Sequence, residues 1–87
     1  MKVIILDGAR FADVASAHGY IKEKLDFPEH YGANLDALDD CLSELPRITS
    51  VVIINRDAAM ANLGEKAVKI FEVFSEILGK KGRFVIT

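Results

Sequence analysis

The stretch FPEHYGANLDALDDCLSEL, residues 27–45, decides how this chain is read. Pro28 and Gly32 bracket an irregular loop, and Asn34 stands where a helix N-cap is wanted, because its side-chain oxygen can accept an otherwise unpaired amide of the first turn. Leu35, Leu38, Leu42 and Leu45 then recur at three- and four-residue steps, which puts them in one apolar stripe of a helix closed by Pro46. Asp36, Asp39, Asp40 and Ser43 form a second stripe on the opposite side. With Glu44, the nine residues 36–44 carry four carboxylates and no Lys or Arg between them.

Working outward, KVIIL (2–6) is a β-branched run ended by Asp7-Gly8, a strand followed by a turn. From Phe11 to Leu25 the apolar residues Phe11, Val14, Ala15, Ala17, Ile21 and Leu25 recur with helical spacing. Asp13 lies near the start and Lys22 and Lys24 near the end, while Gly19 marks a break or an early end. On the other side, SVVIIN (50–55) is a continuous apolar run, expected to be a strand covered on both faces. The stretch RDAAMANLGEKA has no clear period and reads as a loop with a short helix ending near Gly64. Val68, Phe71, Phe74, Ile77 and Leu78 mark a further helix ended by Gly79 or Gly82, and RFVIT closes the chain as a strand. The order β, α, α, β, α, β predicts an α/β fold, a small three-stranded parallel sheet with three to four helices and one edge or face left open.

The 87 residues are room for one domain over residues 1–87, and 51% hydrophobic residues supply its core. MKVIILDG has an apolar run too short for a signal peptide or a membrane span. Cys41 is the only cysteine, so no internal disulfide forms and a reducing, cytoplasmic home is expected. Cys41 reads as a buried small hydrophobe, since neighbouring acids suppress its thiolate. His18 reads as a surface or half-buried helix residue. The net charge of −2 hides a sorting: residues 26–45 hold six acids and no Lys or Arg, and the rest holds eleven bases and seven acids. Those bases are scattered, with no cluster beyond KKGR, which speaks against direct nucleic-acid binding.

Like charges at i and i+4, as at Asp36 and Asp40, cost a few tenths of a kcal/mol each (about 0.2–0.5). A solvated polar face normally interleaves cations here. Three uses compete with that bland reading. A calcium or magnesium site lacks the alternating carboxylates and turn glycine of a calcium loop, and a straight helix face does not wrap an ion. Paired-carboxylate catalysis needs one acid in an apolar pocket, and these stand in an exposed row. A rigid anionic patch docking into a basic cleft of another protein needs only what is present, and Phe27, His30 and Tyr31 frame it. No phosphate-binding loop, zinc spacing or nucleophile motif appears, so neither cofactor nor metal is expected.

Pro28, Glu29, Tyr31, Gly32, Asn34, Leu35, Asp36, Ala37, Leu38, Asp40, Cys41 and Leu42 together resemble, at unbroken spacing, the signature of the barstar family of ribonuclease inhibitors. VFSE (73–76) in the last helix, the chain length and the order of elements resemble the family as well. The resemblance implies a protein that is not an enzyme, a monomer when free, and a partner that is a basic, extracellular-type, guanyl-preferring ribonuclease of the barnase kind. It implies that the acidic helix and the loop before it plug the active site, with carboxylates standing in for RNA phosphate. Asp40 then takes the central position and Asp36 a second one; Gly32 allows close backbone approach; Asn34 caps the helix and touches the partner; Leu35 adds apolar contact; and Glu76 contributes from the last helix. His30 stands where the family's best-known member has an aromatic, and Asp39 replaces a tryptophan. A barstar-like module for a different basic partner is the alternative.

Overall fold

The β-branched runs at the two ends of the first crossover pair with each other. In the computed structural model, which describes residues 1–87, β1 (Lys2–Asp7) lies parallel to β2 (Thr49–Ile54), with Lys2 opposite Thr49 and Asp7 opposite Ile54. β3 (Phe84–Ile86) adds to the other edge of β2, also parallel, with Val51 opposite Phe84 and Ile53 opposite Ile86. Parallel neighbours need long crossovers. The first contains α1 (Val14–Leu25) and α2 (Leu35–Ser43), and the second α3 (Arg56–Leu63) and α4 (Glu65–Leu78).

α1 starts three residues later than its apolar period predicts. Asp13 accepts the Ser16 amide at 2.7 Å and caps the helix, so Phe11 falls in the turn before it, where its ring is fully buried edge-on to Tyr20 at 6.0 Å. Gly19 breaks nothing: it is exposed, a side chain there would meet open space, and the helix runs through it to Asp26 in the left-handed region. The stretch without a period resolves into α3, a left-handed-side glycine at Gly64 (φ 60°) and an immediate restart as α4. Its start was illegible because Asn55 does not cap. Its Nδ2 donates instead to Asp7 Oδ1 at 2.9 Å. That bond first, and then the Ala9 amide, hold the Asp7 carboxyl below its ordinary value.

β2 is not covered on both faces, contrary to the expectation from its continuous apolar run. Thr49, Val51 and Ile53 point into the core, and Ser50, Val52 and Ile54 are only half-buried on the other side. There Val3 and Ile5 are each 53% exposed and Val85 56%. The helices layer one face, and the outer face keeps its β-branched residues because they suit a pleated strand, not because they are buried. The core behind the sheet is filled by Leu6, Phe11, Ile21, Leu38, Leu42 and Phe74, none of them accessible to water. Burial of each such side chain stabilises by about 1.5–3 kcal/mol. Arg83 ties the last strand to the rest, donating through Nε to the Thr49 carbonyl at 2.9 Å and through Nη2 to that of Pro46 at 2.8 Å. No helix is long and apolar enough to cross a membrane.

Two backbone positions are decided by geometry. At Gly8 an added Cβ would collide with the carbonyl oxygen of Asn55, so the strand ends of β1 and β2 approach only because no side chain is there. Gly8→Ala is expected to lower stability by about 1–3 kcal/mol, the range for steric overpacking, read as a fall in denaturation midpoint with an unchanged slope. Ala33 has φ 53°, a left-handed conformation that an alanine adopts at a cost of about 1–2 kcal/mol. Ala33→Gly is expected to raise the thermal midpoint by relieving that strain; a lower midpoint would mean that the unfolded-state entropy of glycine outweighs it.

Candidate functional site

α2 is held as a rigid rail by its two ends and its inner face. Asn34 Oδ1 accepts the Ala37 amide at 2.8 Å, and Leu38 donates back to the Asn34 carbonyl at 2.9 Å. Leu38 and Leu42 are completely buried against α4 and the sheet, whereas Leu35 is 36% exposed and Leu45 half-buried. The leucine stripe therefore anchors through its middle, and Leu35 projects outward at the helix start. Asp36 and Asp40 are exposed, and Asp39 is half-buried with Ser43 Oγ donating to its backbone carbonyl at 2.9 Å. None of these acids has a cation partner: the molecule's single salt bridge joins Lys22 to Glu29 at 3.5 Å. The helix N-terminus offsets part of the repulsion at Asp36, and nothing comparable reaches Asp40.

The loop ahead of α2 is shaped by packing at Phe27 and Tyr31, whose ring centroids are 5.0 Å apart, and by the Tyr31 amide donating to the Pro28 carbonyl at 3.0 Å. Tyr31 is half-buried, and burial holds its hydroxyl proton far more firmly than usual. Its oxygen lies 2.7 Å from His18 Nδ1, in a hydrogen bond across from α1. His18 is thus not a surface or half-buried residue as its helix position suggested. It is 2% exposed, and that burial pushes its pKa below the ordinary 6.5. The periodicity failed here because a histidine adjacent to Ala17 on the inner face looks polar until a hydroxyl partner thirteen residues away is known. Cys41 packs against the core while remaining half-buried. Burial first, then Glu44 and Asp40, raise its thiol pKa and keep it unreactive.

His30, Tyr31, Gly32, Asn34, Leu35, Asp36, Asp39 and Asp40 thus belong to one continuous loop-and-helix unit, with His30, Gly32 and Asn34 exposed on the loop. Glu76 stands on a different element, exposed on α4, where it lines a cleft with Glu72, Ser75 and Phe84 that runs toward β3. α2 and α4 pack directly on each other. Sequence reasoning missed the left-handed Ala33, the His18–Tyr31 bond and a small cleft of about 230 Å³ between Val14, Leu35, Ile70, Lys66 and Lys69. No group of three or more His, Cys, Asp or Glu side chains is arranged to hold a metal ion.

The capped helix, preceded by an aromatic loop, thus carries an acid row with no cation partner, exposed at Asp36 and Asp40. Comparison with known proteins agrees with the family resemblance read from the sequence. The family described as Barstar (barnase inhibitor) matches residues 1–86. A curated relative from Bacillus subtilis (strain 168), named "Putative ribonuclease inhibitor YrdF", is 42% identical over 79 residues, covering 87% of this chain and 85% of the relative. With the three-stranded parallel sheet and its four helices, these matches establish that the chain belongs to the barstar family.

Proposed function

We propose that residues 1–87 act as one barstar-like domain that inhibits a barnase-type, guanyl-preferring ribonuclease in the cytoplasm, without catalysing a reaction itself. The observation that carries this is the set of acids along α2 and its C-cap: Asp36, Asp39, Asp40 and, at the cap, Glu44 are presented from a rail anchored by Leu38 and Leu42, and none is neutralised within the molecule. A ribonuclease active site is basic because it binds phosphate. Rigid carboxylates occupy such a site at little entropic cost, since the helix has already fixed them.

In this mechanism α2 enters the active site with Asp40 and Asp36 meeting the cations that hold RNA phosphate. Tyr31 and Leu35 supply apolar contact at the margin, Gly32 lets the loop backbone approach, and Asn34 touches the partner while its Oδ1 stays on the Ala37 amide. Glu76 adds a contact from α4. Asp39 and His30 set which ribonuclease fits, since Asp39 brings a charge to a half-buried place and His30 an exposed imidazole. Those two residues favour a second reading, a barstar-like module for another basic protein.

Titration of the protein into a barnase-type ribonuclease assay is expected to show near-stoichiometric inhibition. Asp40→Ala should weaken it by about thirtyfold or more, the factor that corresponds to the roughly 2 kcal/mol of a strong interface contact. No inhibition by the native protein transfers the surface to a different basic partner. Raising salt from about 0.05 M to about 0.5 M should slow association several-fold while leaving the dissociation rate nearly constant, as measured by stopped flow. An association rate indifferent to salt would remove electrostatic steering from the mechanism.

A further inference from the structure

We propose that the free edge of β3 and the groove beside it bind an extended segment of a partner protein, one in which basic and β-branched residues alternate. In the parallel ladder β2 takes the Arg83 carbonyl and the Thr87 amide, and Val51, Val52 and Ile53 stand opposite Phe84, Val85 and Ile86. Ladder groups alternate from side to side along a strand, so the amides and carbonyls of Phe84 and Ile86 face outward, where the sheet supplies no further strand. The side chains of Phe84 and Ile86 turn toward α4, Phe84 stacking on Phe74 at 5.4 Å, and there a groove of about 700 Å³ opens along the edge. Its far wall is α4, where Phe71 is buried, Val68 is 37% exposed, and Glu72 and Glu76 are exposed. The groove shares only Glu76 with the inhibitory surface proposed above and does not depend on which ribonuclease is bound.

The chemistry of the occupant follows from what the groove offers. Neither Glu72 nor Glu76 has a cation partner, although Lys69 lies three residues before the one and Lys80 four residues after the other. The two carboxylates are one helical turn apart, about 6 Å along the axis. α4 turns back into β3 through Gly79–Lys81 and so runs antiparallel to it. Same-face residues of a strand repeat at about 6.6 Å, so two alternate residues of a segment paired with β3 come level with the two acids. Long basic side chains suit those positions, since their methylene stems lie over Val68 and Phe71 while the charge reaches the carboxylate. The intervening residues emerge on the other face, beside Val85, which is 56% exposed and paired with the half-buried Val52. A β-branched residue continues that surface. Lys80 ends the acid row, so the pattern asks for two basic positions and not a continuous run. A second copy of this chain is a poor occupant, because β1 and β3, the strands with free edges, carry one basic residue between them, Lys2. Strand addition of this kind draws affinity from main-chain bonds and specificity from alternate side chains.

The test titrates the free protein, followed by NMR, with a short end-capped peptide of alternating lysine and valine. Binding is expected to shift the Phe84 and Ile86 amide signals and to slow their exchange with solvent. Glu72→Gln, an exposed change outside the surface proposed for the ribonuclease, should weaken the peptide about twofold to fivefold, the range for one exposed ion pair. The same peptide N-methylated at its edge-facing amides keeps every side chain. It should bind about tenfold or more weakly, since it loses the backbone hydrogen bonds of the pairing. A peptide with glutamate in place of lysine should not bind. Equal binding by the N-methylated peptide would rule out strand pairing, and an unchanged affinity in Glu72→Gln would remove the acid wall as what selects the occupant; either result overturns the proposal. So would the absence of any shift at millimolar peptide, or shifts confined to α2 at Asp36 and Asp40 or to the β1 edge at Val3 and Ile5. These signals are read on the free protein, so loss of the proposed ribonuclease target would leave them standing.

Discussion

Parallel pairing of β1 with β2 is the constraint on which the other elements depend. Six residues on each strand align without a bulge, so the chain between Asp7 and Thr49 has to travel back along the sheet before β2 begins. α1, the aromatic loop and α2 are that return path. The close approach at Gly8 and the Asn55–Asp7 bond fix one end of the pair, and the Arg83 contacts to Thr49 and Pro46 fix the other. The acid row therefore sits on a crossover connection whose two ends are both fastened to the sheet. A surface built this way keeps its shape without internal charge neutralisation.

That arrangement explains how repulsion among the α2 acids is tolerated. Leu38 and Leu42 are wholly buried, and their burial outweighs by several-fold the few tenths of a kcal/mol lost to each like-charge pair. The helix is not stabilised by its outer face, so that face is free to be chosen for recognition. The same separation of duties appears at Asn34, whose side chain caps the helix while the residue remains exposed.

Most of the fold was legible because its signals are local. The leucine spacing and the Asn34 cap announced α2, the β-branched runs announced β1 and β2, and the loop signature announced the family. What stayed hidden depends on partners distant in the chain. The start of α3 was obscured because Asn55 turns its amide to Asp7, and α1 begins after Phe11 because that ring is needed against Tyr20 and Phe71. The burial of His18 was invisible without Tyr31, and the bare face of β2 could not be told from a covered one, since β-branched residues serve both. Among the candidate site residues, the loop and helix members form one surface unit by their order along the chain. Glu76 required the third dimension, and its cleft toward β3 has no signature in the sequence.

The one-sided layering of the sheet has a consequence for the molecule in crowded surroundings. A three-stranded sheet has two outer edges, and here they belong to β1 and β3, beside an outer face carrying Val3, Ile5 and Val85. Such a combination invites pairing with strands of neighbouring molecules. The chain limits that risk by geometry: β3 is only three residues long, β1 opens on the charged Lys2, the Asn55 side chain clips the far end of β1, and Arg83, just ahead of β3, bonds across to the Thr49 carbonyl of β2. Lengthening β3, or replacing Lys2 with an apolar residue, would turn the same sheet into a template for self-association, so colloidal behaviour rests on features remote from the acid helix.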